Sequence, residues 1–150
     1  MTLSTSDLEQ MTQNQLDDLF RSSPAGDIPR GEGRGTVILD PATEITDIAA
    51  KVIHLIGWKG KVFDPDNGLL RNEILPIGIK AIVAKVYPSA SWFDGKEAII
   101  LDYSQTSLVA HWIRDEIRLV APGLYLGIVY WDKTKLINFA LEFPQSSGAP

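Results

Sequence analysis

The sequence contains no cysteine in its 150 residues. This absence excludes disulfides, thiolate nucleophiles and cysteine-ligated metals, so the fold must be held by its core. Long apolar runs are also missing, because the richest stretch, residues 45–58, is interrupted by Thr46, Asp47 and Lys51 and is shorter than the roughly 20 apolar residues of a membrane-spanning helix. The N-terminus lacks the basic and apolar segments of a secretory signal. We therefore expect a cytoplasmic protein without a membrane span.

Positive charge is scarce, with 14 Lys and Arg against 19 Asp and Glu and a net charge of −5. The basic residues are also scattered, which makes nucleic acid an unexpected partner. The two histidines, His54 and His111, lack the spacing of metal ligands, and no Gly-x-Ser-x-Gly nucleophile motif is present. We expect neither a metal nor a cofactor.

The composition is that of an ordinary globular protein, with 45% hydrophobic and 22% charged residues, and we expect a single domain over residues 1–150. Residues 1–25 are predicted to form an N-terminal helix and linker, with Asp7 as the N-cap and a breaker at 22–26. Residues 144–150 are predicted to be a disordered tail.

The rest of the chain is typical of a mainly β protein. A glycine-rich loop over residues 26–35 is predicted to lead into a first strand at 36–39, and apolar residues at helical spacing predict a helix between Pro41 and Gly57. Short apolar segments separated by turn residues follow, which gives about eight strands in all. Closure of the sheet would remove exposed edges, so we predict a closed antiparallel β-barrel with an N-terminal helix and a helix between the first two strands.

Four segments also carry a resemblance to a family: GWKGKVF at 57–63, the Asp-Tyr of LDYS, IRDEIR at 113–118 and PGLYLG at 122–127. In this order they resemble small bacterial lipocalin-like (calycin-type) barrels and, more distantly, GXWXG-type domains, over roughly residues 31–143. Where the GXWXG pattern has its Trp, this chain has Gly-Glu-Gly-Arg-Gly, so the role of that aromatic does not carry over. The resemblance implies a barrel whose interior holds one small apolar or amphipathic molecule.

The segment that follows Trp112 is compatible with a helix or a strand. The Pro122-Gly123 turn favours a strand, preceded by a single helical turn over residues 106–111. On a strand, Arg114, Glu116 and Arg118 share one face; we call these three residues the charged row. Asp115 then lies on the opposite face among aliphatic residues and must have a partner or a shifted pKa.

Two placements of the charged row remain open at this point. Inside the barrel, its arginines and glutamate could hold the polar end of a ligand; outside, it would form weak surface ion pairs. Lys59 and Lys61 are predicted to face solvent or to form a basic rim. The residues predicted to bind the ligand are Arg114, Arg118, Glu116, Asp102, Tyr103, Trp58 and Tyr125.

These residues support three hypotheses of function. The leading one is a protein that binds a small apolar or amphipathic molecule in the barrel interior. The first alternative is a cofactor-free cyclase, isomerase or lyase in which Asp102, Asp115 or Glu116 is the acid or base, and Tyr103 or an arginine stabilises developing charge. The second is a filled barrel that interacts with other proteins. The sequence indicates neither the ligand nor the oligomeric state.

Overall fold

The chain folds into a closed barrel of eight antiparallel strands in a computed structural model that describes residues 2–39, 47, 49–50, 53, 60–73, 82–106 and 110–144. Each strand pairs with the next along the chain, and the last pairs with the first. The predicted closed antiparallel barrel is therefore confirmed. The strands are β1 (Gly31–Ile38), β2 (Gly60–Asp64), β3 (Leu69–Glu73), β4 (Ile82–Ala90), β5 (Glu97–Asp102), β6 (Ile113–Ala121), β7 (Leu124–Trp131) and β8 (Thr134–Glu142).

Two helices, rather than one continuous helix, precede the barrel: α1 (Thr5–Glu9) and α2 (Gln13–Ser22). Each begins with its own capping box, at Ser4 and at Thr12, and the prediction of Asp7 as the N-cap is wrong because its carboxylate instead accepts from the Ser4 backbone. Among the described residues, no helix has the length and apolar character needed to cross a membrane.

The helix predicted between the first two strands is confirmed. Residues 47, 49, 50 and 53 of this segment are helical, whereas its remaining residues lie outside the described part of the chain. Ala49 is 4% exposed, and it packs with Ile53 against the apolar cluster inside the barrel. The segment therefore contributes to the barrel interior.

The glycine-rich stretch differs from its predicted structure, because residues 31–35 belong to strand β1 instead of a loop. Gly33 pairs with Lys61 of β2, and a Cβ at this position would lie 2.5 Å from the ring of Phe143. The ring of Phe143, which follows β8, thus occupies the space that a side chain at Gly33 of the neighbouring β1 would fill. The missing side chain at Gly33 is a requirement of packing, and the stretch is not an anion-binding loop.

The apolar residues form two clusters on opposite faces of the sheet. The interior cluster draws on all eight strands, from Val37 of β1 to Leu141 of β8. The outer cluster joins the outward faces of β5, β7 and β8 to Leu8, Leu16 and Phe20 of the two helices. Part of the outer surface of the barrel is consequently buried beneath α1 and α2.

A second close approach of glycine and phenylalanine gives a stability prediction. Gly127 pairs with Phe139, whose ring atoms would lie 2.2 Å from a Cβ at Gly127. We expect Gly127→Ala to lower the free energy of unfolding by about 1–3 kcal/mol in urea titrations. Combining Gly127→Ala with Phe139→Leu should restore part of the lost free energy of unfolding, because the ring that obstructs the new Cβ is then absent. Strictly additive losses in the double variant would contradict this account.

Candidate functional site

Strand β6 alternates between the two faces of the barrel wall. Ile113 and Ile117 belong to the interior cluster, and Asp115 lies between them on the same face. The charged row occupies the outer face, where α2 and the turn between β4 and β5 cover it. The lumenal placement of the row is therefore wrong, and so is the solvent-exposed alternative, since Glu116 and Arg118 are both 0% exposed.

Asp115 is the carboxyl group inside the barrel. It is 0% exposed, and neither of its carboxyl oxygens has a hydrogen-bond partner among the described residues. Lys61 of β2 is also 0% exposed, and its charge acts on Asp115. The interior thus contains an acid and a base surrounded by apolar side chains.

Burial dominates the protonation of both groups. It raises the pKa of Asp115 to about 7, although the positive charge of Lys61 acts in the opposite direction. Burial also lowers the pKa of Lys61 to about 8, against the effect of the Asp115 carboxylate. The sequence predicts a partner or a shifted pKa for Asp115. No hydrogen-bond partner is found among the described residues, and the shifted pKa values of Asp115 and Lys61 both lie close to neutrality.

Lys61 is buried in the structure, whereas the sequence predicts that it faces solvent or forms a basic rim. It was expected at a solvent-facing position together with Lys59, which lies outside the described residues. In the structure Lys61 shares the inward face of β2 with Phe63, and its Nζ lies 5.9 Å from the centre of the Phe139 ring. The alternation of Lys61 with Phe63 was the available signal, because an apolar aromatic two positions away marks the buried face of a strand.

Arg118 makes a dense set of contacts on the outer face. Its guanidinium forms a bidentate pair with Asp94 at 2.6 and 2.7 Å. It also donates to the backbone carbonyls of Phe20, Lys96 and Glu97 at 2.9, 3.0 and 3.1 Å. All five N–H groups are thus used, and the residue joins β6 to the end of α2 and to the β4–β5 turn.

Glu116 and Arg114 complete the row in a similar way. The Glu116 carboxylate accepts from the Ser91 hydroxyl, from the Trp92 backbone at 2.7 Å and from the Arg114 guanidinium at 3.1 and 3.2 Å. Arg114 also donates to the Ala90 carbonyl and lies 4.1 Å from the centre of the Trp92 ring. The charged row thus connects β6, in the barrel wall, to the β4–β5 turn.

The other predicted site residues are divided between the interior and the outer face of the barrel. Tyr103 is fully buried in the interior cluster, and Tyr125 lies in the same cluster with its hydroxyl donating to the Asp27 carbonyl at 2.6 Å. Asp102 is on the outer face, where its carboxylate accepts from the Tyr87 hydroxyl at 2.7 Å and the Ser104 backbone at 2.9 Å. Trp58 lies outside the described residues. The structure therefore brings only part of the predicted set to the barrel interior.

Asp102 differs from Asp115 in its protonation. Burial acts to raise the Asp102 pKa, but the hydrogen bonds from Ser104 and Tyr87 outweigh it, and the net shift is downward. The same contact and burial raise the pKa of Tyr87 to about 12. Asp102 is therefore a fixed, ionised acceptor, whereas Asp115 changes charge near neutrality.

Asp102 lines a surface cleft of about 190 Å³ on the outer wall of the barrel. We call it the rim cleft. Its walls come from the turns before and after β5, the start of β6 and the β7–β8 turn. The residues that line it include Trp92, Asp102, Ser104, His111, Trp112 and Asp132.

Within the described ranges, no group of three or more His, Asp or Glu side chains is placed to hold a metal ion. His111 lines the rim cleft, and His54 falls outside those ranges.

Comparisons with known proteins bear on the fold alone. No protein-family model and no curated protein matches the chain. Among solved structures, the chain is similar to a protein from Thermomonospora curvata, with 16% sequence identity, a TM-score of 0.62, and coverage of 90% of this chain and 89% of that one.

Proposed function

We propose that the protein binds a small amphipathic molecule inside the barrel, with a hydrogen-bond-donating end of the ligand at Asp115. The observation that carries this proposal is the fully buried Asp115 carboxyl, whose oxygens have no hydrogen-bond partner among the described residues. Buried polar groups in folded proteins are nearly always hydrogen-bonded, and an unsatisfied one costs about 1–3 kcal/mol. A hydroxyl, amine or amide of a ligand would remove this cost.

The surroundings of Asp115 favour an apolar body for the same ligand. On the same face of β6, its neighbours are Ile113 and Ile117. It pairs in register with Leu101 and Val129 of the adjacent strands. All four are buried in the interior cluster. In this proposal the anchoring role passes from the charged row to Asp115, while Tyr103 and Tyr125 remain candidates for the apolar wall.

The proposal can be tested with matched series of straight-chain alcohols, amines and alkanes. We expect alcohols or amines to raise the melting temperature of the wild-type protein more than alkanes of equal length, because only they donate to Asp115. The nearly isosteric Asp115→Leu should remove this preference, and Asp102→Asn, at the rim, should keep it. Equal effects of all three series on wild type would contradict an anchor at Asp115, and no effect of any series would favour the filled barrel.

A second candidate function, a cofactor-free acid/base enzyme, is favoured by the protonation of the interior pair. A pKa of about 7 at Asp115 and of about 8 at Lys61 suits proton transfer near neutral pH. Asp115 would be the acid or base, with Lys61 as the second titrating group. Mass spectrometry of a ligand before and after incubation separates the functions, because a binder returns it unchanged and an isomerase, cyclase or lyase does not.

A further inference from the structure

We propose that the rim cleft is a second binding site, which takes one ring of a neutral saccharide stacked on Trp92 or Trp112. The first observation is the exposure of these two side chains. Three large hydrophobic side chains among the described residues are exposed, Trp112 at 49%, Trp92 at 47% and Leu39 at 37%. Two of the three line this one cleft.

The acceptors of the rim cleft are held in place before any ligand arrives. Asp102 is fixed by Tyr87 and by the Ser104 backbone. The backbone N–H of Asp132 donates to the Trp112 carbonyl at 3.0 Å, which ties the β7–β8 turn to the residue before β6. A ring with hydroxyl groups at its edge can donate to these carboxylates while its C–H face lies on an indole, whose π face is electron-rich.

The β7–β8 turn provides an independent observation. Asp132 and Lys133 form its two central positions with φ of 45° and 71°, in the left-handed region that Gly or Asn-Gly occupies at less cost. Such a conformation costs roughly 1–2 kcal/mol for a residue with a Cβ. The chain nevertheless places two polar side chains here, and both line the rim cleft.

The charges of the rim cleft favour a neutral ligand. Asp102 and Asp132 are balanced by Arg114 and Lys133, so the formal charge of these four lining residues is zero. The volume of about 190 Å³ is below the roughly 300 Å³ at which drug-sized sites begin, which suits a single ring. A phosphate or a nucleotide fits this balance and size poorly.

The test is a titration of the full chain with methyl glucoside, methyl galactoside, N-acetylglucosamine and their β-linked dimers, followed by NMR of the indole N–H signals. At least one saccharide should shift the Trp92 or Trp112 signal, with a dissociation constant in the millimolar range. Alanine in place of the indole whose signal shifts, Trp92→Ala or Trp112→Ala, and Asp102→Asn should each weaken binding about tenfold, which corresponds to the loss of one stacked ring or charged hydrogen bond.

Two controls make the result decisive. Leu39→Ala removes the third exposed apolar side chain, which does not line the rim cleft, and Asp115→Leu alters only the barrel interior; both should bind the saccharide as wild type does. No shift of either indole signal by any saccharide would overturn the proposal. A response to adenosine but not to the saccharides would also overturn it, in favour of an aromatic ligand.

Discussion

Replacing Arg118 with methionine is expected to lower the free energy of unfolding by about 3–5 kcal/mol, measured by urea titration at neutral pH. The variant keeps an apolar stem over Phe20, whose ring centre lies 4.4 Å from the guanidinium. It removes two donors from the Asp94 carboxylate and one donor from each of three backbone carbonyls, those of Phe20, Lys96 and Glu97. The backbone N–H of Lys96 still donates to Asp94, so the loss is of the charged partner of a nearly buried carboxylate. Because folded domains are stable by only about 5–15 kcal/mol, this single change removes a large share of the total.

The chain supplies a matched control for Arg118 in a second bidentate pair. Arg30 contacts Asp66 at 2.9 and 3.0 Å, but the two side chains are 67% and 73% exposed. Water replaces the lost contacts when Arg30 is changed to methionine, so we expect no measurable change in stability. Similar losses for the two arginines would show that burial and the carbonyl contacts do not determine the importance of Arg118.

Asp115 is expected to make the protein less stable as the pH rises from about 4 to about 7. The ordinary pKa of the group is 3.8 and its pKa in the fold is about 7. Between these values the folded state holds a proton that the unfolded state has released, so the free energy of unfolding falls with rising pH. The size is on the order of 2–4 kcal/mol, and Asp115→Asn should remove this slope.

Lys61 acts in the opposite direction at higher pH. Its ordinary pKa is 10.5 and its pKa in the fold is about 8, so between these values the unfolded state binds the extra proton and stability rises with pH. The two groups together predict a minimum of stability near pH 7 to 8. Urea titrations across this range test it, with Asp102→Asn as a control, since the lowered pKa of Asp102 contributes stability that is lost as the pH falls. Parallel curves for wild type and Asp115→Asn would contradict this account.

The barrel could be predicted from the sequence because short apolar segments separated by turn residues form a local pattern. Closure of the sheet then follows from the need to remove exposed strand edges. The sequence also predicted the division of β6, since a period of two decides that Asp115 and the charged row face opposite ways. The sequence did not show which face of β6 is covered by other segments of the chain. That depends on α2 and the β4–β5 turn, whose contacts with Glu116 and Arg118 join residues up to 98 positions apart.

The errors in the predicted site have a common physical origin. A period-two pattern assigns a polar residue to a face but does not reveal whether a distant segment buries that face, as happens to Arg118. The glycines of residues 31–35 predict a loop because their conformational freedom is local information, whereas the ring of Phe143 over Gly33 is not visible in the local sequence. Lys61 is the exception, because its charged side chain predicts a solvent-facing position although its alternation with Phe63 indicates the buried face of β2.

The order of assembly during synthesis follows from the way the barrel closes. Leu8, Leu16 and Phe20 leave the ribosome before β7 and β8, which complete the surface that they cover. At about 5–20 residues per second, these apolar side chains remain uncovered for on the order of ten seconds. Helices α1 and α2 are thus made well before the strands that bury their apolar faces.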